Sequence, residues 1–172
     1  ALAAEPLIEP HLVVDPARPT TRKVRFVSEH HSTHLLRADW ELPEVLNART
    51  EKALIDRALA ALPRASSVVL SDYAKGALTP HAIREIIDAA KKAGIPIIVD
   101  PKAADYSIYR GATVIKPNRK ELSEATRRRT ETDEEVIAAA MELNRLLETE
   151  AVVVSLSGAG LGTAQVSTTK AA

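Results

Sequence analysis

Cysteine is absent from the 172-residue sequence. Its absence excludes disulfide scaffolds and cysteine-ligated zinc or iron–sulfur sites, and it is compatible with a reducing compartment. Glycine is scarce as well, with six residues where average usage is about 7%, so glycine-rich phosphate-binding loops are few. No apolar run approaches the roughly 18 residues of a membrane-spanning helix, and no secretory signal opens the chain. These absences predict a soluble protein, with the cytoplasm as its expected location.

An excess of one charge sign is also missing, because 23 basic residues balance 23 acidic ones. A balanced chain has no general electrostatic attraction for nucleic acid or for anionic membranes, so neither is expected as a partner. Any phosphate group that the protein binds must therefore be held by a local cluster of residues. Apolar residues make up 45% of the chain, which at this length is sufficient for one domain with a core.

The N-terminal part of the chain predicts extended structure followed by a helix. Residues 1–19 hold four of the ten prolines around the apolar run 12–14, which predicts extended chain with one short strand. Residues 21–27 and 33–40 are two extended segments separated by a polar turn, which is the pattern of a β-hairpin. Pro43 is predicted to open an amphipathic helix, because the apolar side chains that follow recur with the helical period.

From Ser67 onward, short β-branched strands alternate with amphipathic helices. Thr79 is the predicted N-cap of one helix, with Pro80 in its first turn, and Thr132 with Glu135 forms a predicted capping box that opens another. Strands this apolar predict a mostly parallel sheet with helices on both faces, hence an α/β fold with the hairpin outside it. The predicted strands are residues 68–70, 97–99, 113–115 and 152–154. The predicted inward face of the second helix is Val136, Ile137, Ala140, Met141, Leu143 and Leu147.

A polar cluster follows each of the four strands at once. In an open parallel sheet, ligands bind in the crevice beyond the carboxyl ends of the strands, so the four clusters are predicted to converge on one cleft. The clusters are residues 71–76, 100–102, 116–121 and 155–160.

The side chains of these clusters suit a phosphorylated ligand that is rich in hydroxyl groups. Three lysines bring positive charge to the rim, and three carboxylates can hold a hydrated Mg²⁺ or orient hydroxyl groups. Asn118 and Glu121 can both project from the first turn of a predicted helix, and an acid beside a phosphate is tolerated mainly when a divalent cation lies between them. The lysines are Lys75, Lys102 and Lys116, and the carboxylates are those of Asp72, Asp100 and Glu121.

Two of these interpretations have structural alternatives. Asp72 and Asp100 can each cap a helix or a turn instead of touching a ligand. The turn Gly158-Ala159-Gly160 can bring backbone N–H groups close to a nucleotide, or it can lead into an edge strand.

Four stretches carry a distinctive combination of residues: Val69–Gly76 (VLSDYAKG), Ile98–Lys102 (IVDPK), Arg110–Thr113 (RGAT) and Lys116–Glu121 (KPNRKE). With them the sequence resembles the ribokinase-like (PfkB) carbohydrate kinase family. Within that family it is most similar to the heptose 7-phosphate kinase domains of the bifunctional heptose-phosphate kinase/ADP-heptose synthase group. Upstream, Pro19–Arg25 and Leu36–Asp39 resemble the lid hairpin of the family.

The resemblance implies transfer of the γ-phosphate of ATP, with Mg²⁺, to the C1 hydroxyl of D-glycero-D-manno-heptose 7-phosphate, in ADP-heptose and lipopolysaccharide biosynthesis. It also implies a homodimer formed through the lid hairpin. By matching position, the implied ATP-binding residues are Asn118, Arg119, Lys120, Glu121, Ser155, Gly158 and Gly160, with Glu121 as the Mg²⁺ ligand. The implied sugar-phosphate-binding residues are Lys23, Arg25, Asp72, Lys75, Gly76, Asp100 and Lys102.

The general base of the family lies in a C-terminal Gly-Ala-Gly-Asp motif, for which this sequence has no counterpart. Its Gly158-Ala159-Gly160 is followed by Leu161 and matches an earlier turn on the nucleotide side. No catalytic residue is therefore predicted in the chain. Because phosphoryl transfer depends on positioning and charge stabilisation, the chain by itself is expected to be inactive.

The sequence is accordingly expected to be a partial domain over residues 1–172, with the lid hairpin at about 19–40 and the α/β core at about 44–166. A non-catalytic ligand-binding or interaction module derived from a sugar kinase is the alternative function. A phosphoacceptor receiver domain is disfavoured, since no acidic pair follows the first strand.

Overall fold

The computed structural model of the protein describes residues 5–28, 33–156 and 162–167. Strands β1 (Arg22–Val27) and β2 (His34–Trp40) come first and pair in antiparallel fashion as a separate hairpin, as predicted. Within these ranges, none of the helices combines the length and the apolar character that crossing a bilayer requires. The following elements are α1 (Ala48–Ala61), β3 (Val68–Ser71), α2 (Pro80–Lys92), β4 (Ile97–Asp100), β5 (Val114–Ile115), α3 (Arg119–Thr126), α4 (Asp133–Leu147), β6 (Ala151–Leu156) and β7 (Gly162–Ser167), with short 3-10 helices at Leu62–Arg64 and Tyr106–Tyr109.

The larger sheet has the strand order β3-β4-β5-β6-β7. Its first four strands are parallel, which confirms the four predicted strands and their predicted parallel orientation. β7 runs antiparallel to β6 at the edge. The residues of β7 are small or polar and lack the apolar run of the other strands, so this strand was predicted only as the alternative in which the turn 158–160 leads into an edge strand. The carboxyl ends of the four parallel strands share one rim, where ligands bind in sheets of this kind.

The sheet is buried unequally on its two faces. Successive side chains of a strand point to opposite faces, and one face carries Leu70, Val99 and Val152, which are buried in the core with side chains of α2, α3 and α4. On the other face, Val69 is 62% exposed and Val153 is only partly buried. Helices were expected to cover both faces of the sheet, and among the described residues they cover one face completely.

Helix α2 forms as its sequence predicts. The Thr79 hydroxyl accepts the N–H of Ala82 at 3.0 Å, and Pro80 fills the first helical position, where a missing N–H costs nothing. Its apolar side chains recur with the helical period and are buried, namely Ile83, Ile86, Ile87 and Ala90.

The N-terminal region differs from its prediction in two places. α1 begins at Ala48 and not at Pro43, because the Asn47 side chain caps it by accepting a backbone N–H of the first turn at 3.0 Å. Residues 12–14 form no strand. They lie beside α1 instead, where Arg57 donates a hydrogen bond to a carbonyl of this segment. The backbone N–H and C=O groups of an extended segment without a strand partner need other hydrogen-bonding groups, and α1 supplies one donor.

Helix α4 begins with the predicted capping box, in which the side chains of Thr132 and Glu135 each accept the other's backbone N–H. The prediction that Ile137 and Met141 face inward is wrong, since they are 46% and 57% exposed. A helix turns by about 100° per residue, so these two lie beside the buried stripe and not on it. That stripe consists of Val136, Ala140, Leu143 and Leu147.

Candidate active-site rim

Backbone contacts join the four loops at the carboxyl ends of the parallel strands. The N–H of Asp72 donates to the carbonyl of Asp100 at 3.0 Å, which ties the first loop to the second. The N–H of Lys116 donates to a carbonyl of β4 at 2.8 Å, and the N–H of Ser155 donates to the carbonyl of Pro117 at 3.1 Å. The first three loops and Ser155, where the fourth cluster begins, therefore lie side by side along one rim, as the geometry of parallel strands predicts.

Two ion pairs hold the lysines of the second and third loops. Lys102 Nζ contacts Glu121 Oε1, and Lys116 Nζ lies 3.2 Å from Asp100 Oδ1. The hydrogen bond that Lys102 donates to Glu121 raises the pKa of Lys102 above its usual value. The two pairs thus place two cations on the rim, each beside a carboxylate.

Asn118 and Glu121 form a capping box at the start of α3. The Asn118 side chain accepts the N–H of Glu121 at 2.9 Å, and the Glu121 side chain accepts the N–H of Asn118 at 2.7 Å. This helix-capping role was not predicted from the sequence, although the same capping-box signature predicted the helix start at Thr132. Glu121 nevertheless faces the rim, since its other carboxylate oxygen contacts Lys102.

The other predicted ATP-binding residues do not all lie at the rim. Arg119 donates two hydrogen bonds of 2.7 Å to backbone carbonyls of the loop before α4, so its guanidinium is engaged away from the rim. Lys120 is exposed and lies 3.7 Å from a carboxylate one turn further along α3. Ser155 is at the rim, in an isolated bridge to the residue that caps α3. Gly158 and Gly160 lie outside the described residues.

The side chains at the start of α3 fit a Mg²⁺ ion whose ligands are mostly phosphate oxygens and water molecules. Mg²⁺ usually takes one or two protein carboxylates beside substrate phosphates, and Glu121 supplies one at the rim. Among the residues that the structure describes, no three His, Asp or Glu side chains gather into a metal cage. An ion at this position would therefore depend on the nucleotide for most of its ligands.

Asp72, a predicted substrate-binding residue, is 4% exposed and its carboxylate is occupied. Oδ1 accepts the N–H of Ala74 at 2.8 Å, and Oδ2 accepts the hydroxyl of Tyr109 at 2.5 Å. Ala74 has a left-handed backbone with φ of +51°, which the bond from Asp72 stabilises. The capping alternative therefore describes Asp72 in this structure.

Tyr109 is a rim residue that the sequence analysis missed. It is fully buried, and its hydroxyl accepts the N–H of Lys102 at 3.4 Å and of Ala103 at 3.1 Å while it donates to Asp72. Burial, and then the bond to Asp72, raise the pKa of Tyr109 far above its usual value, so the hydroxyl keeps its proton. The neighbouring Tyr106 packs edge to face at 5.7 Å between ring centroids, and its buried hydroxyl has no partner among the described residues.

Gly76 brings two backbone segments together. Its φ is +77°, and a Cβ at this position would lie 2.0 Å from the carbonyl oxygen of Glu44. Its own carbonyl accepts the N–H of Leu46 at 3.0 Å. Arg18 reinforces the junction by donating to neighbouring carbonyls, including that of Lys75 at 2.8 Å. This close approach by itself requires glycine, whatever else the loop binds.

Glu41 forms ion pairs with two of the predicted phosphate-binding lysines. Its role was not predicted from the sequence. Lys75 Nζ lies 2.5 Å from Glu41 Oε1, and Lys23 Nζ of β1 lies 3.2 Å from Oε2. Glu41 directly follows β2, so these bonds fasten the base of the hairpin to the first rim loop. Arg25 is an exposed residue further along β1 and lies opposite Arg37. The structure thus brings Lys23 and Lys75 together and leaves Arg25 on the hairpin.

Acidification is expected to release the base of the hairpin from the rim. Hydrogen bonds from Lys75 and then from Lys23 lower the pKa of Glu41 below 4.5. The ion pairs are therefore complete above that usual value and are lost as the pH falls through the lowered one. Trp40, the single tryptophan, adjoins Glu41 and reports this change by fluorescence. We expect a transition below pH 4.5 in the wild type that is absent from Glu41→Gln.

Glu44→Gln is the matched control for this titration. Glu44 lies on the same segment, and its carboxylate forms no ion pair with any residue that the structure places. We expect Glu44→Gln to retain the wild-type transition. If Glu41→Gln retained it as well, another group would be responsible for the release.

Comparison with known proteins places the sequence among the carbohydrate kinases. It matches the pfkB family carbohydrate kinase over residues 2–171. It is 56% identical over 160 residues to the bifunctional protein HldE of Nitrobacter hamburgensis, and 55% identical over 161 residues to that of Rhodopseudomonas palustris. These alignments cover 93% and 94% of this chain but 33% of each relative, so the chain spans about a third of the length of those proteins.

Solved structures share the fold. Escherichia coli phosphofructokinase-2 in complex with potassium gives a TM-score of 0.63 at 23% identity, over 87% of this chain and 50% of that chain. Arabidopsis thaliana ribokinase complexed with ribose and ATP gives a TM-score of 0.58 at 20% identity, over 88% of this chain and 49% of that chain. The predicted ribokinase-like fold is confirmed, and by the match over residues 2–171 the chain belongs to the pfkB family of carbohydrate kinases.

Proposed function

We propose that the protein is part of a kinase that transfers the γ-phosphate of ATP to the C1 hydroxyl of D-glycero-D-manno-heptose 7-phosphate. The observation that carries the proposal is the continuous rim, on which Lys75, Lys102 and Lys116 from three loops lie among carboxylates. Membership of the pfkB family supports phosphoryl transfer to a sugar. The identity of 55–56% to bifunctional proteins HldE agrees with the sequence resemblance from which the heptose was inferred.

In this proposal, the lysines exchange their carboxylate partners for phosphate oxygens when the substrates bind. Lys75 and Lys23 leave Glu41 and grip the sugar phosphate, and Lys102 leaves Glu121. A phosphate group carries more charge than a carboxylate and offers three acceptor oxygens, so the exchange favours the ligand.

Mg²⁺, when bound, neutralises charge on the phosphate oxygens during transfer. Glu121 is the proposed residue that holds it, at the start of α3. The described residues orient and neutralise the substrates, and we assign the general base to none of them. Binding of the substrates by this chain can therefore be tested separately from phosphoryl transfer.

We propose further that two copies of the chain associate through the hairpin. Its exposed apolar side chains include Phe26 at 47%, Leu35 at 68% and Leu36 at 59%. An isolated two-stranded hairpin is marginal in water and gains stability when such side chains are covered. Light scattering is expected to give the mass of a dimer for the wild type and of a monomer for Leu35→Glu. A monomeric wild type would contradict the proposal.

The test of the nucleotide site separates the charge of Glu121 from its capping role. Glu121→Gln keeps an oxygen that can accept the N–H of Asn118, so the start of α3 is preserved while the negative charge is lost. Calorimetry with ADP is expected to show tighter binding by the wild-type chain when Mg²⁺ is present. In Glu121→Gln, affinity for Mg²⁺-ADP is expected to fall about tenfold, equivalent to about 1.4 kcal/mol.

Glu135→Gln is the matched control, because Glu135 occupies the same position in the capping box of α4. It is expected to bind Mg²⁺-ADP as the wild type does. Equal losses in the two variants would assign the effect to helix capping. A wild-type chain that binds no ADP, or binds it without regard to Mg²⁺, would contradict the kinase proposal and favour the non-catalytic interaction module.

A further inference from the structure

The rim loops that carry Lys75 and Lys102 are joined where they leave the sheet by the backbone bond from Asp72 to Asp100, and further along by one buried hydroxyl. Tyr109 Oη accepts the backbone N–H of Ala103 at 3.1 Å and of Lys102 at 3.4 Å, on the loop after β4. The same hydroxyl donates to Asp72, on the loop after β3, at 2.5 Å. Because Tyr109 is fully buried, water does not compete for these bonds. One oxygen atom therefore serves two loops that follow different strands.

The connection continues from Asp72 to the residue before Lys75. The other carboxylate oxygen of Asp72 accepts the N–H of Ala74 at 2.8 Å, and Ala74 has a φ of +51°, which is unfavourable for alanine. Hydrogen bonds in series strengthen one another in a buried site. The backbone beside Lys75 thus depends on the hydroxyl that also holds the backbone of Lys102.

We infer that Tyr109 is a positioning residue that holds the Lys75 loop and the Lys102 loop as one unit and thereby sets the grip on the sugar phosphate. The inference rests on the proposed function for the identity of the ligand, and on the hydrogen bonds alone for the coupling of the loops. Tyr109 acts through Asp72 and through backbone N–H groups, so it is not itself a substrate ligand. The nucleotide segment at the start of α3 has anchors of its own in its capping box and in Ser155, and it meets the Lys102 loop through the ion pair between Lys102 and Glu121, which does not involve the Tyr109 hydroxyl.

Two tyrosine variants separate the coupling from the general effect of losing a buried hydroxyl. Tyr109→Phe removes the hydroxyl and keeps the ring, so packing in the core is preserved. Tyr106→Phe is the matched control, because Tyr106 lies in the same 3-10 helix and is buried. Its hydroxyl has no partner within the described part of the chain.

The first measurement is amide hydrogen exchange by NMR on the 172-residue chain without ligand. In Tyr109→Phe, exchange is expected to accelerate about tenfold at Lys102 and Ala103, which lose their acceptor, and at Ala74, which loses its support through Asp72. Tyr106→Phe is expected to exchange as the wild type does. Acceleration confined to Lys102 and Ala103 would overturn the inference, because the two loops would then move independently.

The second measurement is the affinity for D-glycero-D-manno-heptose 7-phosphate and for Mg²⁺-ADP by calorimetry. Tyr109→Phe is expected to weaken binding of the sugar phosphate about tenfold while Mg²⁺-ADP stays within about twofold of the wild type. Equal weakening of both ligands, or an unchanged affinity despite faster exchange, would overturn the positioning role. A wild type that binds no sugar phosphate would contradict the proposed function, and the exchange result then decides the coupling of the loops by itself.

Discussion

Gly76→Ala is expected to lower the free energy of unfolding by about 3 kcal/mol or more. A Cβ at this position would lie 2.0 Å from the carbonyl oxygen of Glu44 and 2.7 Å from the nitrogen of Val45, so the two backbone segments must separate. Separation breaks the hydrogen bond from the Leu46 N–H to the Gly76 carbonyl. The left-handed φ of +77° adds a cost of about 1 to 2 kcal/mol for an L-residue.

Gly94→Ala is the control that isolates the backbone contact. Gly94 has a similar φ of +68°, but nothing lies within 4 Å of the Cβ that alanine would add. It should therefore lose only the conformational contribution, about 1 to 2 kcal/mol. Urea unfolding compares the two variants. Equal losses would mean that the contact between Gly76 and Glu44 is absent in solution.

Asp72→Ala is expected to lower the free energy of unfolding by about 2 to 3 kcal/mol, because it leaves two donors, one of them buried, without their acceptor. These donors are the hydroxyl of Tyr109 and the N–H of Ala74, and Asp72 itself is 4% exposed. Each unsatisfied buried donor costs about 1 to 3 kcal/mol. Ala74 also loses the bond that stabilises its left-handed backbone. Thermal and urea unfolding both measure this loss.

Asp105→Ala is the matched control, since the Asp105 carboxylate accepts the N–H of Ser107 at 2.9 Å, the same local bond on the surface. Its loss is expected to cost clearly less than that of Asp72, because water can satisfy the exposed N–H of Ser107. Combining Asp72→Ala with Tyr109→Phe removes one of the orphaned donors, so the double variant should lose less stability than the sum of the two single losses. Additive losses would mean that Asp72 and Tyr109 do not interact.

Much of the fold could be predicted because its signals are local. The Thr79 cap, the Pro80 that follows it and the apolar period after them specify α2 within one stretch of chain. The start of α1 was predicted too early because Pro43 is an acceptable first helical residue. In the structure the helix starts after Asn47, whose side chain accepts a backbone N–H of the first turn. β7 was predicted only as one of two alternatives, because an edge strand owes its structure to pairing with β6 and its own residues carry no apolar run.

By itself, the sequence determined the order of strands and helices and the meeting of four polar loops at one rim, since periodicity and the geometry of parallel strands require both. The tertiary structure alone decided what each rim residue does. Asp72 and Gly76 hold backbone segments in place, whereas the rim lysines form ion pairs with carboxylates. The partners that make this difference, Tyr109 and Glu44, lie far from them along the chain, and a hydrogen bond or a close contact is decided by tenths of an ångström that no local pattern encodes.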